Sequence, residues 1–326
     1  MKILATAPLR GPGLNILRSL GEVVEEPWIT GPSDPMRLMG EDALAARLTE
    51  VGADIVVAEA DSVKGPVLDL GLRAIASTRG DPTNVDVPGA TAKGIPVLRA
   101  PGRNADGVAE LALALLLACT RGIVPADHDV RSGEVFRDGT IPYQRFRGWQ
   151  LAGRTVGLVG LGAVGRAARW RFQGIGMEVR SFDPFAVDAT DHDLDTMLAG
   201  VDVVSMHAAV TPDTLGLMNA DRFARMREGS VFLNSARAAL HDLDALTSAL
   251  TSGHLAAAAL DHFEGESLAV GHPLAALPNV VLTPHIGGAT YDTEANHTKL
   301  IADGLAALLA GEVPDNCVNP EVLRRG

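Results

Sequence analysis

The sequence predicts an α/β protein of two domains, each built on a doubly wound parallel sheet. Three observations carry that expectation. The chain has 326 residues, roughly twice a typical domain of about 150 residues. Short β-type runs alternate with helical patterns through the first third, the rhythm of crossover units on a parallel sheet. The same rhythm restarts at Leu151.

In chain order, KILAT at 2–6 reads as a strand, Leu14 to Leu20 as a helix, EVVE at 22–25 as a strand and Asp42 to Val51 as a helix. DIVVAE at 54–59, AIAS at 74–77 and PVLRA at 96–100 are further strands. Asn104 to Thr120 is apolar on nearly every face, which marks a core or interface helix. Residues 131–150, rich in Arg, Gly and aromatics without a clean period, read as an irregular surface connection with Phe146 and Trp149 as packing anchors. After Leu151 the strand candidates are TVGLVG, MEVRSFD, VDVVSMH, SVFLN, LAAAALD and NVVLT, each followed by a turn or helix signal. Tyr291 to Leu309 is again helical, and GEVPDN at 311–316 ends it with Gly and Pro.

Composition narrows the function. Hydrophobic residues make up 47% and charged residues 21%, the balance of a folded globular chain. Acidic residues outnumber basic ones by 40 to 28, a net charge of −12, which repels nucleic-acid phosphates and anionic lipid. Neither nucleic acid nor membrane is an expected partner. The strongly apolar run Leu111 to Cys119 is too short to span a bilayer, and Met1 to Pro8 lacks the features of a secretory signal. The two cysteines, Cys119 and Cys317, have no CxxC spacing and no His cluster beside them. No metal site and a reducing cytoplasm are expected.

Gly160, Gly162 and Gly165 stand in G-x-G-x-x-G spacing after an apolar strand and before a helix, with Ala163 and Val164 between the last two. Gly160 permits a tight turn, Gly162 admits a pyrophosphate to the backbone, and Gly165 lets helix and strand approach. The helix N-terminus supplies free N–H groups and partial positive charge. The next strand ends at Asp183, 18 residues after Gly165. A carboxylate there accepts hydrogen bonds from ribose hydroxyls and repels a 2′-phosphate, so NAD is expected rather than NADP. Taken alone, a glycine-rich structural turn and an ordinary Asp183–Pro184 strand-end turn remain open.

Four later segments fall in a set order: VSMHAAVTPDT at 204–214, FLNSARAALHDLDAL at 232–246, ALDHFEGES at 259–267 and LTPHIGGAT at 282–290. With the glycine turn, RGDPTNVDV at 79–87 and APGRNADGVAE at 100–110, nearly the whole chain resembles the D-isomer-specific 2-hydroxyacid dehydrogenases. The resemblance implies an NAD-dependent enzyme acting on CH–OH donors, interconverting a D-2-hydroxy acid and its 2-oxo acid. It also implies a Rossmann domain at 104–289 inserted into a flavodoxin-like substrate domain made of 1–103 and 290–326, and a homodimer.

The chemistry can be argued from the residues as well. Hydride transfer to a 2-oxo acid needs a cation for the carboxylate and a group that exchanges a proton with the carbonyl oxygen. Arg237 offers a planar, permanently charged fork. His285 titrates nearest neutrality, and a carboxylate beside it would favour the imidazolium. By resemblance that carboxylate is Glu266, with Glu264 a rival by spacing. Also by resemblance, Asp261 holds the nicotinamide carboxamide, His207 lines the nucleotide crevice, and Arg79, Gly80, Asp81 and Asn104 bind substrate. His262, where the family usually has Val, is expected to face the other side of its strand.

Several residues depart from the family pattern: Ala238 replaces Gly after Arg237, Ser267 replaces Pro after Glu266, Ala209 replaces Pro after His207, and Asp81 replaces Gly. Ala238 implies a turn that keeps φ negative. Asp81 would repel a substrate carboxylate, which leaves two readings: a plain turn before Pro82 with Arg79 solvated, or a pair between Arg79 and Asp81 at the cleft rim. Two alternatives accompany the main function: a phosphorylated substrate such as 3-phosphoglycerate or erythronate 4-phosphate, and an NAD(H)-sensing protein like the family's corepressors.

Overall fold

Every strand pairing is parallel in the computed structural model, which describes residues 1–324. The chain divides into two units, Met1–Asn104 with the chain from Thr290 onward, and Ala105–Ala289.

The first unit contains β1 (Lys2–Ala5), α1 (Pro12–Leu20), β2 (Glu22–Glu25), α2 (Glu41–Val51), β3 (Ile55–Ala58), β4 (Ala74–Ser77), α3 (Val87–Ala92) and β5 (Val97–Leu98). Its strand order, β2-β1-β3-β4-β5, is the flavodoxin-like one. β3 and β4 are buried at every residue, which is why they read as continuous apolar runs instead of alternating ones. Successive side chains still point to opposite faces. Leu4, Val56 and Ile75 pack with Leu44 and Leu48 of α2, whereas Ile3, Ile55 and Val57 pack with Leu17 of α1 and Ile301 and Leu305 of the last helix. Burying a Leu or Ile contributes about 1.5–3 kcal/mol. PVLRA shortens to two paired residues because Arg99 turns its N–H to Asn316.

The second unit opens with α4 (Ala105–Arg121), α5 (Ile123–Ser132) and the four-residue α6 (Pro142–Arg145). There follow β6 (Thr155–Val159), α7 (Ala163–Gly174), β7 (Glu178–Phe182), α8 (Leu194–Gly200), β8 (Val203–Met206), α9 (Ala220–Arg225) and β9 (Ser230–Asn234). α10 (Leu243–Thr251), β10 (Leu255–Leu260) and β11 (Val280–Leu282) complete it, and α11 (Tyr291–Leu309) returns to the first unit. The order is β11-β10-β9-β8-β6-β7, and a parallel bridge from Phe182 to Asp191 extends the β7 edge. α4 and α7 cover one face through Ala109, Ala112, Leu116, Ala168 and Phe172; Leu198, Phe223 and Leu246 cover the other.

α5 has no counterpart in the sequence reading, because Pro125 and the polar run Asp127–His128–Asp129 mask its period. Gly122, at φ +57°, makes the break from α4. The connection after α5 is irregular apart from α6, as expected. Trp149 is no core anchor: it is 43% exposed, held by the Arg154 guanidinium over its ring. Buried Asp129 organises this segment instead, paired with Arg145 at 2.9 Å and Arg137 at 3.2 Å.

Candidate active site

The strand order of the second unit reverses between β6 and β8, both of which neighbour one another while β7 lies on the outer side of β6. Crevices at such reversals are where open α/β sheets bind ligands. Two chain segments leave the strand ends there, the glycine turn after β6 and His207 after β8. Gly160, at φ +99°, has no room for a side chain, since a Cβ would lie 2.5 Å from the Ala208 nitrogen. A Cβ on Gly165 would collide with the Gly160 carbonyl, whereas one on Gly162 would meet nothing within 4 Å. Two of the glycines therefore serve close packing and the middle one leaves an open approach. Ala163, Val164 and Gly165 open α7, where first-turn N–H groups lack helical acceptors. Free N–H groups at an open helix start are the arrangement that binds phosphate groups.

Asp183 follows β7. Its Oδ2 accepts the Leu161 N–H of the glycine turn at 2.7 Å and its Oδ1 accepts the Phe185 N–H at 2.9 Å. The carboxylate is thus fastened to the turn, with its remaining lone pairs available. The His207 N–H donates to Val159 at 2.7 Å. Its Nε2 meets Ser205 Oγ at 2.9 Å, while Nδ1 is buried without a hydrogen-bond partner. Burial pushes this imidazole down to about 4, so it is neutral at physiological pH.

Asn234, at the end of β9, builds the turn that carries Arg237. Its Oδ1 accepts from the Ala236 N–H at 3.0 Å, and its Nδ2 donates to the Arg237 carbonyl at 2.8 Å and meets His241 Nδ1 at 3.0 Å. Arg237 is exposed and extended at φ −152°, donating to the Ala236 carbonyl at 2.5 Å. Ala238 keeps φ negative: among the described residues the non-glycine positions with positive φ are Asp138, Glu266 and His285.

Two of those three are the proposed acid pair. Glu266, at φ +60°, follows Gly265 at φ +64°, and this double left-handed turn swings its carboxylate to His285. Nδ1 of His285 lies 3.0 Å and 2.9 Å from the two Glu266 oxygens. Glu266, not Glu264, is the partner. His285 itself stands at φ +55°, a conformation that non-glycine residues adopt at a cost of about 1–3 kcal/mol and only where the surroundings over-determine it. Asp261 supplies that constraint. Fully buried at the end of β10, it accepts from Thr283 Oγ1 at 2.6 Å, the Ile286 N–H at 2.9 Å and the Gly287 N–H at 2.8 Å. Its carbonyl accepts the His285 N–H at 2.8 Å. The side chain expected at the carboxamide is thus directed onto the loop of the proposed proton donor.

His262 corrects the sequence reading. It does not face away: its ring centroid lies 3.8 Å from that of His285, because the chain turns immediately after the β10 end and brings both rings to one side. Burial, reinforced by the charges of His285 and Arg237, lowers His262 to about 4. The charges of Asp261 and Glu266 act on it in the opposite sense, so all five groups lie within electrostatic reach. Donor atoms of His262, Glu266 and His285 fall within 4.8 Å of one another, close enough to admit a metal ion. The paired carboxylate and imidazole are equally what proton exchange requires.

The first unit holds the other candidates. Arg79 does not pair with Asp81. Its Nη1 donates to Thr83 Oγ1 at 2.8 Å, because Pro82 turns the chain and brings Thr83, not the Asp81 carboxylate, under the guanidinium. Asp81 is exposed, and the Thr83 N–H bonds its carbonyl at 2.9 Å, the plain-turn reading in its backbone. The Arg79 carbonyl accepts from the Ala100 N–H at 2.8 Å, and Arg99 reaches the Gly80 carbonyl at 3.4 Å. Asn104 is half-buried beside Arg103, which pairs with Glu59 at 2.5 Å and meets His297 Nδ1 at 2.8 Å.

Sequence reasoning missed Asn234 with His241, Thr283 and the inward face of His262. Asn234 alone left a trace, three residues before Arg237 in FLNSAR.

A glycine cradle at a sheet reversal, with an imidazole–carboxylate pair and an arginine after later strands of the same sheet, defines a nucleotide-dependent oxidoreductase. Residues 113–287 match the family described as D-isomer specific 2-hydroxyacid dehydrogenase, NAD binding domain. The chain belongs to the D-isomer-specific 2-hydroxyacid dehydrogenase family. It is 35% identical to a glyoxylate reductase of Thermofilum pendens, over 99% of this chain and 96% of the relative. It is 33% identical to a D-3-phosphoglycerate dehydrogenase of Archaeoglobus fulgidus, over 98% of this chain but only 59% of that longer protein. Among solved structures, an NADPH-dependent glyoxylate/hydroxypyruvate reductase from Sinorhizobium meliloti, in complex with NADP and malonate, superposes with a TM-score of 0.74 at 27% identity, over 100% of this chain and 98% of that one. The chain is an NAD-dependent oxidoreductase that interconverts a 2-hydroxy acid and its 2-oxo acid.

Proposed function

We propose that this enzyme reduces a small, unphosphorylated 2-oxo acid of the glyoxylate or hydroxypyruvate kind, using NADH in preference to NADPH. The observation that carries the reading is the bond between His285 Nδ1 and Glu266, at 2.9 Å and 3.0 Å. With Nδ1 turned to the carboxylate, Nε2 is the atom that gives a proton to the carbonyl oxygen, and Glu266 stabilises the imidazolium beforehand. Arg237 forks onto the substrate carboxylate. Bound NADH supplies the hydride. Gly160, Gly162, Ala163, Val164 and Gly165 hold its pyrophosphate, Asp183 its ribose hydroxyls, and His207 lines the crevice as a neutral ring. Asp261 serves the cofactor end through the loop it fixes. Arg79, Gly80, Asp81 and Asn104 are assigned to the acid, within a substrate domain of 1–103 and 290–326, and 104–289 is the nucleotide domain.

The substrate class follows the glyoxylate reductase that matches nearly end to end, whereas the phosphoglycerate dehydrogenase relative is much longer. Arg103, an arginine beside the first-unit loops, is neutralised by Glu59 and so is not free for a phosphate. Retention of the acid pair disfavours a purely sensing role. No single helix among the described residues is long and apolar enough to cross a membrane. Exposed Leu117, Ile123, Val124, Val130, Phe136 and Tyr143 on and after α4 and α5 support a homodimer through that face.

NADH oxidation, followed at the nicotinamide absorbance over a panel of 2-oxo acids, tests the reading. Turnover of glyoxylate or hydroxypyruvate well above that of phosphorylated acids is expected. Preference for a phosphorylated acid, or binding of NADH without turnover of any, would overturn it.

A further inference from the structure

Two arginines of α7 and one of the adjoining β7, the strand that leads to the proposed ribose-binding Asp183, are each tied to a carboxylate. Arg166, in the first turn of α7, makes a bidentate pair with Asp188 at 2.5 Å and 2.8 Å. Arg169, one turn on, reaches the same carboxylate at 2.8 Å, the Asp188 carbonyl at 3.0 Å and Ser181 Oγ at 3.1 Å. Arg180 is held by Asp191. Arg166 lies in the first turn of the helix that follows the glycine turn, and Asp183 is bonded to that glycine turn through the Leu161 N–H at 2.7 Å. Guanidinium forks are the side chains best fitted to a phosphate. Left unpaired here, they would offset the repulsion from Asp183 and admit NADP.

We propose that Asp188 is a cofactor-specificity residue that excludes the 2′-phosphate by neutralising Arg166 and Arg169. The inference rests on the reading of Asp183 as the ribose-binding acid, and deepens it: Asp183 repels the phosphate, and Asp188 occupies the two cations that would otherwise attract it. Both guanidinium groups are partly exposed, with side-chain exposures of 50% for Arg166 and 23% for Arg169, so neither is walled off from a ligand by packing. Their engagement with Asp188 is what withholds them.

Dissociation constants for NADH and NADPH, measured by titration of intrinsic tryptophan fluorescence in the full chain, provide the test without turnover. Asp188→Asn removes the charge and keeps an acceptor for one arginine, so the fold is retained. Its ratio of NADPH to NADH dissociation constants should fall about tenfold, and the gain should shrink at high salt, as exposed charge pairs do. Adding Arg166→Gln and Arg169→Gln should abolish the gain. Asp183→Asn, measured in parallel, separates the two layers. If it shifts the ratio and Asp188→Asn does not, the proposal fails and the reading of Asp183 stands. A shift with Asp188→Asn that survives loss of both arginines would also overturn the proposal. If neither aspartate moves the ratio, the reading of Asp183 fails as well.

Discussion

The segment 261–287 and the loops at 77–83 and 99–104 both carry candidate active-site residues, but they are held in different ways. In the first, Asp261 takes three donors from the loop around His285, the His285 N–H bonds the Asp261 carbonyl, and the imidazole meets Glu266. In the second, backbone links tie the two loops together, while Asp81 projects into solvent and Arg79 reaches only a neighbouring hydroxyl. Proton transfer tolerates little misplacement, because a shift of about 1 Å can cost 10²-fold. Selecting among acids of different length asks only for a contact to be present or absent. If the proposed roles hold, the segment fixed through Asp261 suits the first task and the exposed side chains of the loops suit the second.

The largest effect should come from the rigid side. His285→Ala is expected to lower kcat at least about 10²-fold while NADH affinity stays near that of the parent, since the glycine cradle is untouched. Stopped-flow turnover paired with cofactor titration checks both halves. A variant that keeps its kcat would erase the contrast between the two regions.

An intermediate effect should appear in acid. His241 and His262 are buried and lowered to about 4, chiefly by burial, against about 6.5 in the unfolded chain. A depressed folded value means that their neutral forms favour the fold fully above about pH 6.5, and that this contribution is lost as pH falls towards 4. Stability should therefore drop over that window by on the order of 2 kcal/mol per histidine. Thermal unfolding against pH reads the slope, and His262→Val should flatten its share. An equally steep profile in that variant would mean that the rigid segment is not where acid acts.

The smallest effect belongs to the loops. If Asp81 faces the substrate carboxylate as proposed, the repulsion would be worth ~1 kcal/mol at about 4 Å in water. Asp81→Gly should raise kcat/KM for glyoxylate a few-fold and leave kcat with larger hydroxylated acids little changed. Steady-state kinetics on both would sharpen the comparison, and unchanged values throughout would take Asp81 out of recognition.

Much of this was legible in the chain. AIAS at 74–77 and Tyr291 to Leu309 fall on β4 and α11 as read, because apolar runs and an amphipathic period are local signals. The family resemblance named Glu266 as the partner of His285 but spacing left Glu264 as a rival, and the contact to Glu266 is seen only in the fold. What it hid depends on contacts between segments distant in sequence. His262 was assigned outward by strand alternation, which ends where the chain leaves β10. Thr283 and Asp261 meet across 22 residues. The Arg79–Asp81 pairing followed from an extended segment that Pro82 instead bends, and α5 was lost because its charged residues blur the helical period.

The left-handed backbones at Glu266 and His285 set two demands of natural selection against each other. Glycine at either position would relieve strain, because it adopts positive φ without steric cost. Each replacement would be expected to relieve backbone strain and to cost turnover. A lineage that gave up the reaction but kept the fold would thus leave its mark first at these two codons.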